Sequence, residues 1–311
     1  MDPRLVAPNE QLPEHVLARH HRARLEQTPR FDPPLTGCVV CGSSSILRFD
    51  RDHEGRTIDR CRRCGVLFLN PQYADDWLMR LYGEYIPENT EEGSAAERMH
   101  RAPVHAYHLA MIERAVRPGR LLSVGCGNGV ELEVARSRGW QIEGFDVDAD
   151  TVARVAARLG VPIRSGRFLE VDWPDSIYDC VYLHHVLEHP KDPAAYLRRI
   201  RRLLRPGGVL FIACPNIRSI SNRWKTFAGK AGVKPRRGRH YDSWHHLFHF
   251  SPRTLSGLLV DRFGFEVLRV ANGVKAGDRR GLLSLPARLA VNDVLPPWSS
   301  IFLVLARRPA D

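Results

Sequence analysis

The sequence predicts an α/β protein: an open, doubly wound sheet preceded by a small metal-held module. Three observations predict it. A short apolar run, Leu121-Leu122-Ser123-Val124, stops at Gly125-Cys126-Gly127-Asn128-Gly129 and passes at once into an amphipathic segment, Val130 to Arg138. From there strand-like and helix-like periods alternate, the pattern of a sheet covered by helices on both faces. Ahead of them stand two C-x-x-C-G turns, Cys38 to Gly42 and Cys61 to Gly65, with 19 residues between Cys41 and Cys61.

Length and composition bound the rest. At 311 residues and 43% apolar content, the chain can bury a full core, with room for one large domain and a smaller one. No run of about 18 apolar residues is present, so no transmembrane helix is predicted. The start, Met1-Asp2-Pro3-Arg4, lacks the charged-then-apolar shape of a signal peptide, and a cytoplasmic protein is expected. The net charge is +11, concentrated in Arg198 to Arg205 and Arg218 to Arg239. Such a balance suits acidic partners, among them nucleic acid, phosphorylated small molecules and anionic membrane surfaces. The first of these runs also suits the solvated face of a helix. Four of the seven cysteines lie in the two pairs, and Cys126, Cys180 and Cys214 fall singly in apolar runs, where a small buried residue is the default. An odd count without a secretion signal argues against a disulfide framework.

In chain order, residues 1–36 read as a polar extension, with a helix conceivable over Leu12 to Gln27. Residues 37–86 read as a ribbon and a docking helix. Each C-x-x-C pair turns two thiolates toward one ion, and the following glycine permits the positive φ that closes the turn. Cys38, Cys41, Cys61 and Cys64 thus make the tetrahedral set of a structural zinc site. Ile46 to Phe49 and Thr57 to Arg60 are its expected strands. A redox C-x-x-C is the rival, disfavoured by two pairs at ribbon spacing. Trp77, Leu78, Leu81 and Tyr82 at helical spacing read as docking contacts, and residues 87–100 as a linker. The main domain is expected over 101–311.

Within that domain His105 to Val116 has helical spacing. The glycine loop should leave the first N–H groups of the next helix free, and Ile142 to Asp146 forms a second strand ending in a carboxylate. Glycine loop plus acidic strand end is how such a sheet holds an adenosine ribose. The pattern is G-x-G-x-G rather than G-x-G-x-x-G, a poor match to a nicotinamide or flavin fingerprint. A helix follows over Asp150 to Leu159, closed by Gly160, then strands at Val161 to Arg164 and Tyr178 to Leu183. Asp192-Pro193 opens a helix through Leu204, and Pro206-Gly207-Gly208 turns into a strand over Val209 to Ala213. A basic, aromatic segment from Ile217 to Phe250 interrupts the alternation. Ser251-Pro252 then caps a helix to Phe263, followed by strands at Gly264 to Val267 and Ile301 to Ala306. Ala271 to Ser300 is proline-rich and weakly patterned.

Taken together, these segments resemble the class I S-adenosylmethionine-dependent methyltransferases. The residues that carry the likeness are the glycine loop, Leu187-Glu188-His189, Lys191-Asp192-Pro193, Leu204-Arg205-Pro206-Gly207-Gly208, Pro215-Asn216, and His246-Leu247-Phe248-His249-Phe250-Ser251 with Gly264-Phe265. The leading ribbon, with Leu81-Tyr82 to Tyr85, is similar to a subset that acts on sugars and polysaccharides. The resemblance implies a seven-stranded, Rossmann-like sheet whose last strand, Ile301 to Ala306, is antiparallel. It implies that Gly125, Cys126, Gly127 and Gly129 pass close to the amino acid part of S-adenosylmethionine and that Asp146 takes the ribose hydroxyls. It further implies that Gly166, Arg167 and Phe168 border the adenine, with Leu183 and His184 beside the methionine part. One departure stands out: the family usually carries an acidic residue where this chain has Ser123.

Methyl transfer from a sulfonium is an in-line displacement, so the enzyme chiefly aligns acceptor and methyl group. A base is needed where an acceptor hydroxyl must lose its proton, and histidine suits that near neutral pH. The candidates are His184, His185 and His189, with His240, His245, His246 and His249 in the late segment; His246 is the first choice and His185 the second. His185-Val186-Leu187-Glu188-His189 also matches H-x-x-E-H, but a strand end meeting Pro190 leaves no long helix for a zinc-protease site. The ubiquinone-pathway O-methyltransferases, which this branch resembles, carry Glu-x-x-Glu-His here. That likeness leaves His185, Glu188 and His189 as ligands for a second divalent ion. The favoured function is methylation, on oxygen or carbon, of a small-molecule or glycan-type acceptor, a nucleotide sugar or polysaccharide precursor, acidic if the arginines of Arg218 to Arg239 hold it. The alternative is an RNA methyltransferase that holds its substrate with ribbon and basic segments; nucleic acid is the less favoured partner, since no asparagine-proline-proline-tyrosine motif is present.

Overall fold

The computed structural model describes residues 29–85, 91–231, 238–241, 244–273 and 298–310. The helix conceived over Leu12 to Gln27, residues 232–237 of the basic segment and most of Ala271 to Ser300 lie outside the described residues.

The chain opens on a hairpin of Ile46–Arg51 (β1) and Thr57–Cys61 (β2), with Ile46 opposite Cys61. Leu67–Leu69 (β3) pairs with β2. Two helices follow, Asp75–Tyr85 (α1) and Glu91–Glu113 (α2). Residues 91–100, expected as part of a linker, are therefore the first turns of α2; Ala95-Ala96-Glu97-Arg98-Met99 are strong helix formers and outweigh Gly93 and Ser94.

The main sheet begins with Arg120–Val124 (β4), which leads into Val130–Ser137 (α3). Gln141–Asp146 (β5), Ala149–Leu159 (α4), Ile163–Ser165 (β6), Tyr178–His184 (β7), Pro193–Leu203 (α5) and Leu204–Pro215 (β8) continue the alternation. The boundaries have local causes. Asp148 caps α4 by accepting from the N–H groups of Asp150 and Thr151, and Gly160 closes it in the left-handed conformation; Asp192 caps α5 through the N–H of Ala195. After Ile220–Lys230 (α6) come Phe248–His249 (β9), Pro252–Asp261 (α7), Glu266–Asn272 (β10) and Ile301–Arg307 (β11).

Among the described residues the main sheet has seven strands in the order β10-β11-β8-β7-β4-β5-β6. It is parallel from β8 to β6, and β11 lies antiparallel between β8 and β10. Strand order reverses between β4 and β7, so a crevice opens beyond their carboxyl ends, where such sheets bind ligands. Leu122, Val181, Leu183, Leu210 and Ile212 are fully buried, as expected of strands covered on both faces.

The ribbon is not closed on itself. Its sheet runs β1-β2-β3-β9, and the last strand comes from the segment just before α7, with Phe68 opposite Phe248. A continuous apolar core joins Val40, Ile58 and Phe68 of the ribbon to Leu122 and Val124 of the main sheet through Leu247, Phe248 and Phe250. Trp77 and Leu78 of α1 are buried in that core, as docking contacts would be. Among the described residues no helix is long and apolar enough to cross a membrane.

Candidate active site

The glycine loop leaves β4 and doubles back against β5. Gly125 N and Cys126 N both donate to Phe145 O, at 2.7 and 3.0 Å. Gly127 N donates to Asp146 Oδ2 at 2.8 Å, and Asp148 N to Asp146 Oδ1 at 3.2 Å. Gly125, Gly127 and Gly129 have φ of 72°, 46° and 74°, a region that L side chains avoid. A Cβ at Gly125 would stand 2.5 Å from Val186 and one at Gly129 2.6 Å from Val155, whereas one at Gly127 would meet nothing within 4 Å. The loop is thus packed from behind and open in front, a cradle for a ligand at Gly127. Burial raises the Asp146 carboxyl, with the N–H groups of Gly127 and Asp148 opposing it.

A second buried carboxylate lies near the loop. Glu131, in the first turn of α3, is 7% exposed and accepts the Ser123 hydroxyl at 2.8 Å. Burial pushes its carboxyl up to about 7, against the Ser123 hydrogen bond. Nearby, Tyr182 Oη meets His105 Nδ1 at 2.8 Å and His108 Nδ1 at 2.7 Å, and the His184 ring stands 5.0 and 5.6 Å from those two rings. Burial holds His105 down to about 3 and puts His108 and His184 well below the usual range. All three are neutral imidazoles wedged between α2 and the end of β7.

Beyond β7 the chain turns at His185, which adopts φ 57°, an uncommon conformation for a side-chain-bearing residue at the mouth of a crevice. His185 Nδ1 lies 3.3 Å from Glu188 Oε1. Glu188 is buried, and its carbonyl accepts Leu247 N at 2.9 Å and Phe248 N at 3.0 Å. Those bonds bring the late segment across, so that His246 Nε2 is 4.0 Å from Glu188 Oε1. Burial would raise the Glu188 carboxyl, but the His185 hydrogen bond and the histidines around it outweigh that and hold it at about 2. Burial puts His246 well below the usual histidine range. Glu188, His189 and His246 offer ligand atoms all within 4.8 Å of one another. The set expected for an ion was His185, Glu188 and His189; the fold puts His246 in place of His185, which is instead bonded to Glu188.

In the ribbon, Cys38 Sγ and Cys64 Sγ are 3.8 Å apart and Cys41 Sγ and Cys61 Sγ 3.4 Å, with all four sulfurs within 4.8 Å of one another. A tetrahedral ion bonded at about 2.3 Å needs sulfurs about 3.8 Å apart, so the donor set fits zinc. The contact with Cys64 pulls the Cys38 thiol down to about 5, while the same contact and burial push Cys64 up and burial pushes Cys41 up.

Gly125, Gly127, Gly129 and Asp146 meet in one cradle. Cys126 and Leu183 are 2% and 0% exposed and present only backbone there. Gly166 keeps open space in front of it, and Arg167 is exposed beside it. Phe168 is 1% exposed, and its ring packs 4.9 Å from Tyr196 and 5.3 Å from Phe145, so the side chain lies in the core. His240 lies apart, 3.0 Å from Thr226 Oγ1. Sequence reasoning missed Glu131, His105 and His108. A carboxylate two positions past the last glycine, on an apolar helix face, and two histidines three apart on one helix were the available signals.

A parallel sheet with a glycine cradle and an acidic strand end at its switch point defines a nucleotide-cofactor protein, and the antiparallel β11 makes the fold that of the class I S-adenosylmethionine-dependent methyltransferases. A family model described as a methyltransferase domain matches residues 95–270, more than half of the chain, and the chain belongs to that family. Over 97 residues it is 38% identical to a probable S-adenosylmethionine-dependent methyltransferase of Mycolicibacterium smegmatis, covering 31% of this chain and 38% of that protein. Over 114 residues it is 31% identical to the ubiquinone biosynthesis O-methyltransferase of Rhodopseudomonas palustris, covering 35% of this chain and 43% of that protein. The chain thus spans about two fifths of the length of the curated relatives it matches. A solved S-adenosylmethionine-dependent methyltransferase from Mesorhizobium loti is 20% identical, with a TM-score of 0.48 over 67% of this chain and 98% of that one.

Proposed function

We propose that this chain is an S-adenosylmethionine-dependent methyltransferase acting on a hydroxyl-bearing small-molecule or glycan-type acceptor, a nucleotide sugar or polysaccharide precursor in the first instance. The observation that carries the reading is the cradle: Gly127 N on the buried Asp146 carboxylate at 2.8 Å, with open space in front of the loop. The relatives named as ubiquinone biosynthesis O-methyltransferases support transfer to oxygen. The pairing of the α5 arginines favours a small acceptor over a nucleic acid. Arg199 meets Asp175 at 3.1 Å, Arg198 meets Asp192 at 3.7 Å, and Arg205, at the start of β8, pairs with Asp179 of β7, so these three cations of the basic run are answered within the chain. Four cysteines gathered at one metal site rather than paired as disulfides fit a reducing compartment, and the proposal extends to a cytoplasmic protein.

When bound, S-adenosylmethionine supplies an electrophilic methyl group on a sulfonium. The residues of this chain do the positioning. Asp146 holds the ribose hydroxyls, Gly166 and Arg167 border the adenine, and the backbone of the glycine loop, Leu183 and His184 line the amino acid part. His185 takes the acceptor's hydroxyl proton, and Glu188 orients its ring and stabilises the imidazolium that forms. His185 is preferred to His246 as the base, because its side chain is 31% exposed against 13%, and Glu188 is nearer to it. The cluster of Glu188, His189 and His246 favours a second reading of that side of the site, in which a divalent ion binds there and polarises the acceptor oxygen.

A labelled-methyl transfer screen across nucleotide sugars, lipid-linked glycans, quinone precursors and RNA tests the acceptor class. Transfer to RNA alone would overturn the proposal. On the best acceptor, His185→Ala should lower kcat by about a hundred-fold; a larger loss in His246→Ala, restored by no added metal, would move the base to His246. Dependence of kcat on added magnesium or manganese would establish the ion.

A further inference from the structure

We propose that Glu131, held in place by the Ser123 hydroxyl, is the acidic group that receives the α-ammonium of the cofactor's amino acid part. The inference rests on the methyltransferase reading and deepens it. Ser123 sits on β4 and is 1% exposed; its short neutral side chain offers no charge to a cation. Its hydroxyl instead donates to Glu131 Oε1 at 2.8 Å, so the carboxylate arrives from α3 and is anchored beneath the loop at the carboxyl end of the strand. Its neighbours on the helix, Val130, Leu132 and Ala135, are buried apolar residues. A carboxylate at such a position costs stability unless a charge answers it.

The surroundings answer the Glu131 charge only in part. The charged and titratable groups that face Glu131 are Asp146 from β5, Cys126 from the loop, Tyr182 from β7 and Arg101 from α2. Asp146 adds negative charge, and Arg101 acts on Glu131 through space. Asp146 is turned to the ribose side of the cradle, where Gly127 N and Asp148 N hold it. Glu131 is joined instead to Ser123 of β4, whose register partner on β7 is Tyr182, and it is toward the end of β7 that the amino acid part of the cofactor would extend. Burial leaves the carboxyl half-titrated near neutrality, at about 7. A cation arriving beside it favours the ionised form, so binding expels a proton.

The test is calorimetric titration of the full chain and its Glu131→Gln variant with three ligands. S-adenosylmethionine and S-adenosylhomocysteine both carry the ammonium; 5′-methylthioadenosine keeps the adenosine and lacks the amino acid part. Glu131→Gln should weaken the first two by about ten-fold or more, the scale of a lost charged hydrogen bond, and leave the third unchanged. Repeating the titrations in buffers of different ionisation enthalpy should show proton release near pH 7 in the wild type and none in the variant. Equal weakening of all three ligands, or no weakening of any, would overturn the assignment. Weakening confined to S-adenosylmethionine would move the carboxylate to the sulfonium and also overturn it. A wild-type chain that binds none of the three would sink the methyltransferase reading instead. If Glu131→Gln does not fold, Ser123→Ala keeps the carboxylate but removes its anchor, and the same selective loss is expected.

Discussion

Glu131 and Asp146 show how one buried carboxylate differs from another. Both are 7% exposed, yet Asp146 is met by the N–H groups of Gly127 and Asp148 while Glu131 is met by the Ser123 hydroxyl and its own N–H. Burial raises the Glu131 carboxyl from 4.5 to about 7, so the folded state keeps a proton that the unfolded chain releases. Stability therefore falls as pH rises from about 4.5 to about 7, by about 3 kcal/mol, and the full cost stands above that window. Glu131→Gln removes the titration. The Tm of the variant should gain on the wild type between pH 5 and pH 8, and a difference that stays flat with pH would show that Glu131 ionises freely. Asp146→Ala should weaken S-adenosylmethionine binding by about 1–3 kcal/mol, measured by calorimetry. Asp146 was legible because it ends a strand at a fixed distance past a glycine loop. Glu131 was not, because nothing in linear spacing tells a solvated glutamate in a first helical turn from one folded back onto a strand.

At the level of elements, the ribbon and the late segment form one unit. β3 pairs with β9, Leu69 N donates to Leu247 O, and Leu247 N donates to Glu188 O, so the metal module and the loop carrying His246 are two turns of the same hydrogen-bonded system. Elemental analysis should find about one zinc per chain in protein purified under reducing conditions; none would refute the four-thiolate assignment. Removing the zinc with a chelator should lower Tm and expose the segment around residues 245–249 to hydrogen exchange. Phe248, 1% exposed between Phe68 and Phe250, ties the two sheets together, and Phe248→Ala should cost about 3–5 kcal/mol in chemical denaturation. The ribbon's cysteines and first strands were readable from spacing and alternation. Its fourth strand was not, since two residues separated from the rest by five of the seven main-sheet strands carry no local signal.

At the scale of the molecule, one of the two apolar cores among the described residues crosses from ribbon to sheet. Lys191, in the loop between Glu188 and α5, reaches Asp32 at 2.6 Å and Asp75 at 2.5 Å, and Tyr241 Oη donates to Asp50 Oδ2 at 3.0 Å. With so much shared apolar surface, the ribbon should not melt alone. Scanning calorimetry of the zinc-loaded protein should give one cooperative transition over both sheets, and two separated transitions would show that the modules are independent.

Sequence by itself determined the α/β class, the alternation of strand and helix, the glycine cradle with Asp146, and the four cysteines. Each depends on residues close in the chain, where periodicity, turn chemistry and fixed spacing act. Only the tertiary structure decided that Phe168 packs inward, that His246 joins Glu188 and His189, that the ribbon borrows β9, and that Glu131 supplies a carboxylate where Ser123 has none. Those outcomes turn on which side chains meet across β4, β7 and the late segment, and such meetings are set by strand order and burial rather than by neighbours in sequence.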